Sequence, residues 1–299
     1  MIKEKIKIWL RAIRFFSFTG SVIPVTLGAI LAVKQSKFQF TYFILSIFAI
    51  VLLHAAVNLI SDHDDYEKKV DTRNSYGSSG VILENLLTSK QVNIGGIICL
   101  ILGSLIGLFL SYEKGLFILV LGLIGAFGGY SYTAKPLMLK YKGLGAPLVF
   151  LLFGPLMVVG SYYVQMQHVS VEAFFVSIPV GLLTTAILHA NDIRDIIHDK
   201  KAGIKTLSIN IGKSNAKKIY YGMIILAYVS IIVMILCGIL PYLSLLCLIT
   251  LPIAYKNSKI LYNSKLSISG LITLDKSTGK LQAQFGILLI FSILLGFLL

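Results

Sequence analysis

Nine stretches of this chain are apolar over a length that can cross a bilayer as a helix, and this property constrains the fold more than any other. They lie near residues 17–33, 41–60, 93–111, 115–133, 146–165, 171–190, 219–238, 240–255 and 282–299. A helix rising about 1.5 Å per residue needs roughly 17–25 residues to span the hydrocarbon, and in lipid only a helix or a closed barrel satisfies its own backbone. Composition agrees: 13% of residues are charged and the mean hydropathy is +0.84, against about 25% charged in soluble domains. Soluble, disordered and collagen-like classes are thereby excluded. The expectation is an all-α, polytopic membrane protein with nine transmembrane helices around a central cavity, forming one integral-membrane domain over 1–299. Cys99, Cys237 and Cys247 each sit inside an apolar run, without metal or disulfide spacing.

A net charge of +14 would suggest nucleic acid as partner of a soluble chain, but here the charge follows the spans. With the N-terminus cytoplasmic, Lys and Arg number five before the first span, four in 61–92, three in 134–145, seven in 191–218 and five in 256–281, which puts 24 of 27 on one side. Lys34, Lys37 and Lys114 fall on the other. Such asymmetry fixes orientation. The expectation is a multi-pass protein of the cell membrane with no nucleic-acid partner, its N-terminus and its loops at about 61–92 and 191–218 cytoplasmic. Residues 1–14 read as a basic interfacial segment: Ile2, Ile6, Trp9 and Ile13 recur at helical spacing while Lys3, Lys7, Arg11 and Arg14 occupy another face. No small-residue cleavage site follows the first apolar run, so this segment is expected to stay.

The acidic residues carry the chemistry. Seven of eight Asp fall in two clusters, Asp62, Asp64, Asp65 and Asp71 after the second span and Asp192, Asp195 and Asp199 after the sixth. Carboxylates at membrane-helix ends are expensive unless they face water, a cation or each other. Each cluster contains N-x-x-x-D, so Asn58, Asp62 and Asp65 share one helical face, as do Asn191, Asp195 and Asp199. Oxygen stripes suit hard cations. Mg²⁺ is commonly held by one or two carboxylates together with substrate phosphates and waters, so two facing stripes fit a diphosphate bridged by magnesium better than a closed cage. The clusters lie four spans apart at the same ends of even-numbered helices, a pattern of internal duplication that would bring both to one cavity mouth. Arg194, Lys205, Lys135 and Lys140 are the candidates to hold phosphate oxygens. Tyr130, Tyr132 and Tyr141 read as interfacial aromatics, His54 and His189 as structural groups, and Pro24, Pro155 and Pro179 as kinks.

These residues resemble the UbiA superfamily of intramembrane aromatic prenyltransferases, and within it the 1,4-dihydroxy-2-naphthoate polyprenyltransferases of menaquinone biosynthesis. The resemblance runs through Arg14 and Ser21–Gly28, Asn58–Thr72, Gly77–Ile82, Tyr132–Leu137 with Tyr141–Gly145, Phe153–Pro155, and Asn191-Asp-Ile-Arg-Asp195 on to Asp199, Ala202-Gly203 and Lys205-Thr206-Leu207. Leu274–Gly286 is similar to the C-terminal stretch of the naphthoate branch. In the first motif Ser61, His63 and Lys69 stand where the family usually has Asn, Tyr and Gly, but Asp62, Asp65 and Asp71 remain.

The resemblance implies a Mg²⁺-dependent transfer of a polyprenyl group from its allylic diphosphate to an aromatic acceptor. For dihydroxynaphthoate this releases CO₂ and diphosphate and gives demethylmenaquinol. It implies Asn58, Asp62, Asp65, Asn191 and Asp195 as catalytic, and Asp62, Asp65, Asp71, Asp192, Asp195 and Asp199 as metal ligands. Arg194, Lys135, Lys205 and Lys140 would bind diphosphate. Another acceptor, such as 4-hydroxybenzoate, a tetrapyrrole or a prenylated glycerol phosphate, is the alternative within this chemistry. From another class, a secondary transporter would use the acidic motifs for a coupling cation, but it would place ionisable residues near the midplane rather than at helix ends.

Overall fold

A computed structural model of the chain describes residues 2–72, 77–264 and 270–298; Arg73 and Lys265 of the charge count and the last residue of the ninth apolar stretch lie outside them. The regular structure among these residues is helical. Helix α1 (Ile2–Ala12) is followed by α2 (Thr19–Leu31), α3 (Phe40–Glu67), α4 (Ser89–Lys114) and α5 (Leu116–Tyr130). Helix α6 (Gly145–Leu151) continues through one wide turn, Leu152–Leu156, into α7 (Met157–Met166). That turn holds Pro155, which cannot donate to the helical ladder. Then come α8 (Val171–Lys201), α9 (Leu207–Leu236, broken at Gly212), α10 (Leu251–Asn263) and α11 (Leu274–Leu298).

Among the described residues seven helical segments are long and apolar enough to cross a membrane, so the chain is a multi-pass membrane protein. The other two expected crossings are irregular. Helix α5 has only 15 residues, and the stretch before α10 is wound over Tyr242–Thr250 as a tighter 3₁₀ helix. Polar ties mark the two ends of the bundle. Arg14 bonds Asp62, Lys140 bonds Asp65 and Arg194 bonds Asp275 at one end. Gln39 bonds Gln165 and Lys114 at the other, where Lys34 also lies over the Phe297 ring. Successive crossings therefore alternate in direction.

The helices outrun the boundaries that hydropathy set. Segments beginning at 61 and 191, expected as loops, are the last turns of α3 and α8, which end at Glu67 and Lys201. At 28 and 31 residues these helices measure about 42 and 46 Å, against about 30 Å of hydrocarbon. Their final turns thus lie beyond the apolar layer while staying helical. Helix α1 also does more than lie at an interface. Ala12 is buried, and Ile8, Trp9 and Ile13 pack on Leu59, Val81, Ile82 and Val92, although Ile6 of the expected apolar stripe is exposed.

Helix α2 is the axis of the bundle. Leu27 is fully buried in a core shared with Val158, Leu183, Tyr220 and Phe285. Gly28 permits its approach to α7, because a Cβ there would collide with the Val158 carbonyl oxygen and come within 2.9 Å of Ser161 Cβ. Beside it Ser161 Oγ donates to the Val25 carbonyl at 2.6 Å. Gly222 is the opposite case, with nothing within 4 Å of an added Cβ. Overpacking a tight contact costs roughly 1–3 kcal/mol, so Gly28→Val should lower the thermal midpoint of the purified protein clearly, whereas Gly222→Ala should leave it unchanged or raise it. Equal midpoints for both variants would contradict this packing.

Candidate active site

The two acidic stripes face one cavity. A space of about 590 Å³ at the polar end of the bundle is lined by Asn58, Ser61 and Asp65 of α3, by Asn191, Asp192, Asp195 and Asp199 of α8, and by Asp71 and Asp275. Arg11, Arg14, Tyr132, Lys140 and Lys276 line it as well. Helical periodicity aims the carboxylates of α3 and α8 inward, and the surplus length of both helices keeps them out of the hydrocarbon.

The first motif is held by cations from elsewhere in the chain, the second by its own Arg194, which also reaches Asp275. Arg14, at φ +54° just past α1, bonds Asp62 Oδ1, and the Ser79 backbone N–H donates to Asp62 Oδ2 at 3.1 Å. Lys140 Nζ donates to Asp65 Oδ2 at 2.7 Å, and the Tyr141 hydroxyl donates to Asp65 Oδ1 at 2.6 Å. Arg194 Nε and Nη2 grip both oxygens of Asp195 at 2.9 and 2.7 Å, while Nη1 donates to Asp275 at 2.9 Å. These pairs are charge-assisted and largely shielded from water, the setting in which such bonds are strongest. Asn58 Nδ2 donates to the Ile13 carbonyl at 2.9 Å, tying the end of α1 to the first stripe.

Not every expected residue reaches the cavity. Asp62, expected as a metal ligand and catalytic group, is absent from the lining, with one oxygen on Arg14 and the other on Ser79. Arg194, expected to hold phosphate, instead binds two carboxylates and also lies outside the lining. Lys135 and Lys205 are exposed and outside the lining too; Lys205 gives its backbone N–H to the Tyr141 carbonyl at 3.2 Å, which docks the turn carrying Lys140. Of the four expected diphosphate cations, Lys140 alone faces the cavity. Arg14 and Asp275 were not among the expected functional residues. Asp275 is the one Asp outside both clusters; its signals were that isolation and its place in the Leu274–Gly286 stretch. Lys69 adopts φ +58°, a left-handed conformation that favours Gly, the residue usual at this place in the resembling family.

Burial pushes Asp71 up to about 7, aided by the Asp65 and Asp62 carboxylates and opposed by Lys140 and Arg14. Burial works against the Lys140 ammonium, but Asp65 foremost holds it well above its ordinary value. Burial and Asp65 raise the Tyr141 hydroxyl, so it stays protonated and donating. The site thus combines strongly held cations with more carboxylates than they neutralise. Among the described residues no three carboxylate, His or Cys groups converge as a ready metal cage. Six carboxylates nevertheless line the cavity, and the buried Asn191 Oδ1 has no hydrogen-bond partner among the described residues. This hard-oxygen donor set fits Mg²⁺ bridged by an anionic ligand, which asks for one or two carboxylates at a time.

An apolar pocket of about 150 Å³ continues the cavity into the bundle, sharing His54, Val57, Gly129, Leu152 and Phe153 with it. Ser17 Oγ donates to the Arg14 carbonyl and therefore accepts from His54 Nε2, leaving His54 Nδ1 to accept from Ser21 Oγ at 2.6 Å. Phe18 and Phe153 pack on the His54 ring. His189 gives Nε2 to the Ala216 carbonyl at 2.8 Å, away from the lining.

Comparisons with known proteins match this chain over residues 21–269 to the UbiA prenyltransferase family. The 1,4-dihydroxy-2-naphthoate octaprenyltransferase of Bacillus subtilis is 26% identical over 281 residues, covering 94% of this chain and 90% of the relative. UbiA prenyltransferase domain-containing protein 1 of Xenopus tropicalis is 30% identical over 299 residues, covering 98% and 84%. A solved UbiA homologue from Archaeoglobus fulgidus, bound to GPP and Mg²⁺, shares the fold with a TM-score of 0.63 at 18% identity, over 95% of this chain and 99% of that one.

The raised Asp71 makes a linkage prediction. Its carboxyl ionises from 3.8 upward in the unfolded chain but only near 7 when folded, so folding takes up a proton between these values and stability from this group is lost as pH rises. In EDTA the thermal midpoint of wild type should fall between about pH 4 and 7, and Asp71→Asn should flatten that fall and be the more stable protein above about pH 7. Identical slopes for both proteins would refute the assignment.

Proposed function

The chain belongs to the UbiA prenyltransferase family, and we propose that it transfers a polyprenyl group from an allylic polyprenyl diphosphate to 1,4-dihydroxy-2-naphthoate in a Mg²⁺-dependent reaction, releasing CO₂ and diphosphate and giving demethylmenaquinol. The observation that carries this reading is the meeting of two Asp stripes at the mouth of a cavity that narrows into an apolar pocket. A diphosphate with a lipid tail has that division of polar and apolar parts. The acceptor is supported by the Bacillus subtilis relative, named for the same naphthoate. The acidic groups gather at one end of the bundle rather than at mid-depth, which speaks against a transporter. The charge asymmetry supports a cytoplasmic N-terminus, with that end of the bundle on the same face.

Asp65, Asp71, Asp192, Asp195 and Asp199 would hold magnesium, with Asn191 Oδ1 as a neutral oxygen at the inner edge. Magnesium, when bound, neutralises the diphosphate and makes it a better leaving group. Lys140 would move from Asp65 to a phosphate oxygen, and Arg14, which lines the cavity, would face the same charge. Breaking the bond between C1 and oxygen leaves the electron pair on diphosphate. The ring carbon bearing the carboxylate supplies the pair for the new carbon–carbon bond, and departure of CO₂ returns a pair to the ring. Val25, Ile50, Leu53, Leu110, Leu121 and Leu156 line the apolar pocket and would keep water from the allylic centre.

Purified protein in detergent, given dihydroxynaphthoate, a polyprenyl diphosphate and Mg²⁺, should yield CO₂ and prenylated product by mass spectrometry. EDTA, Asp195→Ala and Asp199→Ala should each reduce the rate by at least about 100-fold. Turnover that survives EDTA would overturn the metal role. Diphosphate release without naphthoate product would overturn the acceptor and leave the prenyl transfer standing.

A further inference from the structure

Arg11 stands on the rim of the cavity. It lines that space and also a second, solvent-facing pocket of about 550 Å³, in which Arg11 and Glu84 are the charged lining residues. Ser78 and Ser79 line both spaces as well, so the outer pocket is an antechamber to the inner cavity. Arg11 Nε donates to the Ser79 carbonyl at 2.7 Å, and its two terminal nitrogens grip Glu84 as a fork, one of them at 2.8 Å. Gly80, at φ +79°, lets the backbone come this near, since a Cβ there would lie 2.5 Å from Arg11 Nη2. The fork is presented to solvent, with side-chain exposures of 44% for Arg11 and 51% for Glu84. An ion pair exposed to this degree is weak because water screens it, so an arriving carboxylate can take the place of Glu84 in the same bidentate geometry.

Phe16, 63% exposed, lines the same cavity as Arg11, together with Arg14 and Asn58. A guanidinium at the rim, with an exposed aromatic ring and an amide lining the same cavity, matches a ligand with an acid group on an aromatic ring. Such a ligand is water-borne, whereas the prenyl diphosphate carries a lipid tail that the antechamber, lined mainly by polar groups, does not accommodate. We propose that the antechamber is the receiving site for the acceptor and that it selects a carboxylate-bearing aromatic. Arg11 takes the carboxylate in exchange for Glu84, and the ring passes over Phe16 toward Asn58. The destination of the ring rests on the prenyl-transfer reading; the selection at Arg11 is measured apart from it.

The test is equilibrium binding of 1-hydroxy-2-naphthoate and of 1-naphthol to the full chain in lipid nanodiscs, read by ligand fluorescence. Wild type should bind the naphthoate more tightly than the naphthol. Arg11→Gln should weaken the naphthoate about tenfold, the loss of one charge-assisted contact, with naphthol binding and thermal midpoint held within error. Glu84→Gln, which frees the guanidinium, should tighten the naphthoate severalfold. The proposal is overturned if Arg11→Gln weakens both ligands alike or neither, if Glu84→Gln weakens the naphthoate, or if wild type does not discriminate between the two. A wild type that selects the naphthoate in this way but transfers no prenyl group to dihydroxynaphthoate would defeat the acceptor of the proposed reaction and leave the receiving site intact.

Discussion

The cost of holding several carboxylates together at the end of a membrane bundle is the constraint around which the chain is organised. Their charges repel, and the surrounding protein screens them poorly. Among the described residues, three of the cations that answer that repulsion also join distant segments: Arg14 on Asp62, Lys140 on Asp65 and Arg194 on Asp195 and Asp275. Each tie also fixes a helix end. The cap after α1, the turn before α6 and the start of α11 are all brought to the two acidic helices through these contacts. Site electrostatics and bundle closure are therefore one arrangement.

The same arrangement explains how the site accepts an anion. Without ligand, its own cations offset part of the carboxylate charge. Lys140 and Arg14 both line the cavity, so under the proposed function Lys140 would leave Asp65 for a phosphate oxygen while Arg14, still on Asp62, would face the same charge, and the freed carboxylate would be available to the metal. Asp62 and Arg194 behave differently. Their polar atoms are turned to the protein, and they serve the site by holding α1, the Ser79 backbone and α11 in place.

The sequence showed the fold class because runs of apolar residues must be helices in lipid, and it showed the two stripes because helical periodicity repeats within each motif. It misjudged helix ends, since hydropathy registers where hydrocarbon stops and not where the helix stops; Asp62, Asp65 and Asp195 are helical although they follow the apolar runs. It also missed partnerships that join distant segments. Arg194 looked like a phosphate ligand from its place inside the second motif, but its partner Asp275 lies 81 residues away. Lys135 shares its basic loop with Lys140 and Lys205 lies in another basic segment, and composition cannot separate an exposed lysine from one turned into a cavity. Arg14 was visible as part of a motif, while its role became clear only once the chain brought it to Asp62.

The most direct measurement is the affinity of purified protein for a non-hydrolysable polyprenyl thiodiphosphate, by calorimetry, with Mg²⁺ and with EDTA. Partner exchange at the carboxylates predicts tight binding with Mg²⁺ and at least about 100-fold weaker binding without it, since diphosphate would otherwise meet an excess of negative charge. Equal affinity in the two conditions would contradict it, because the cations alone would then be holding the diphosphate.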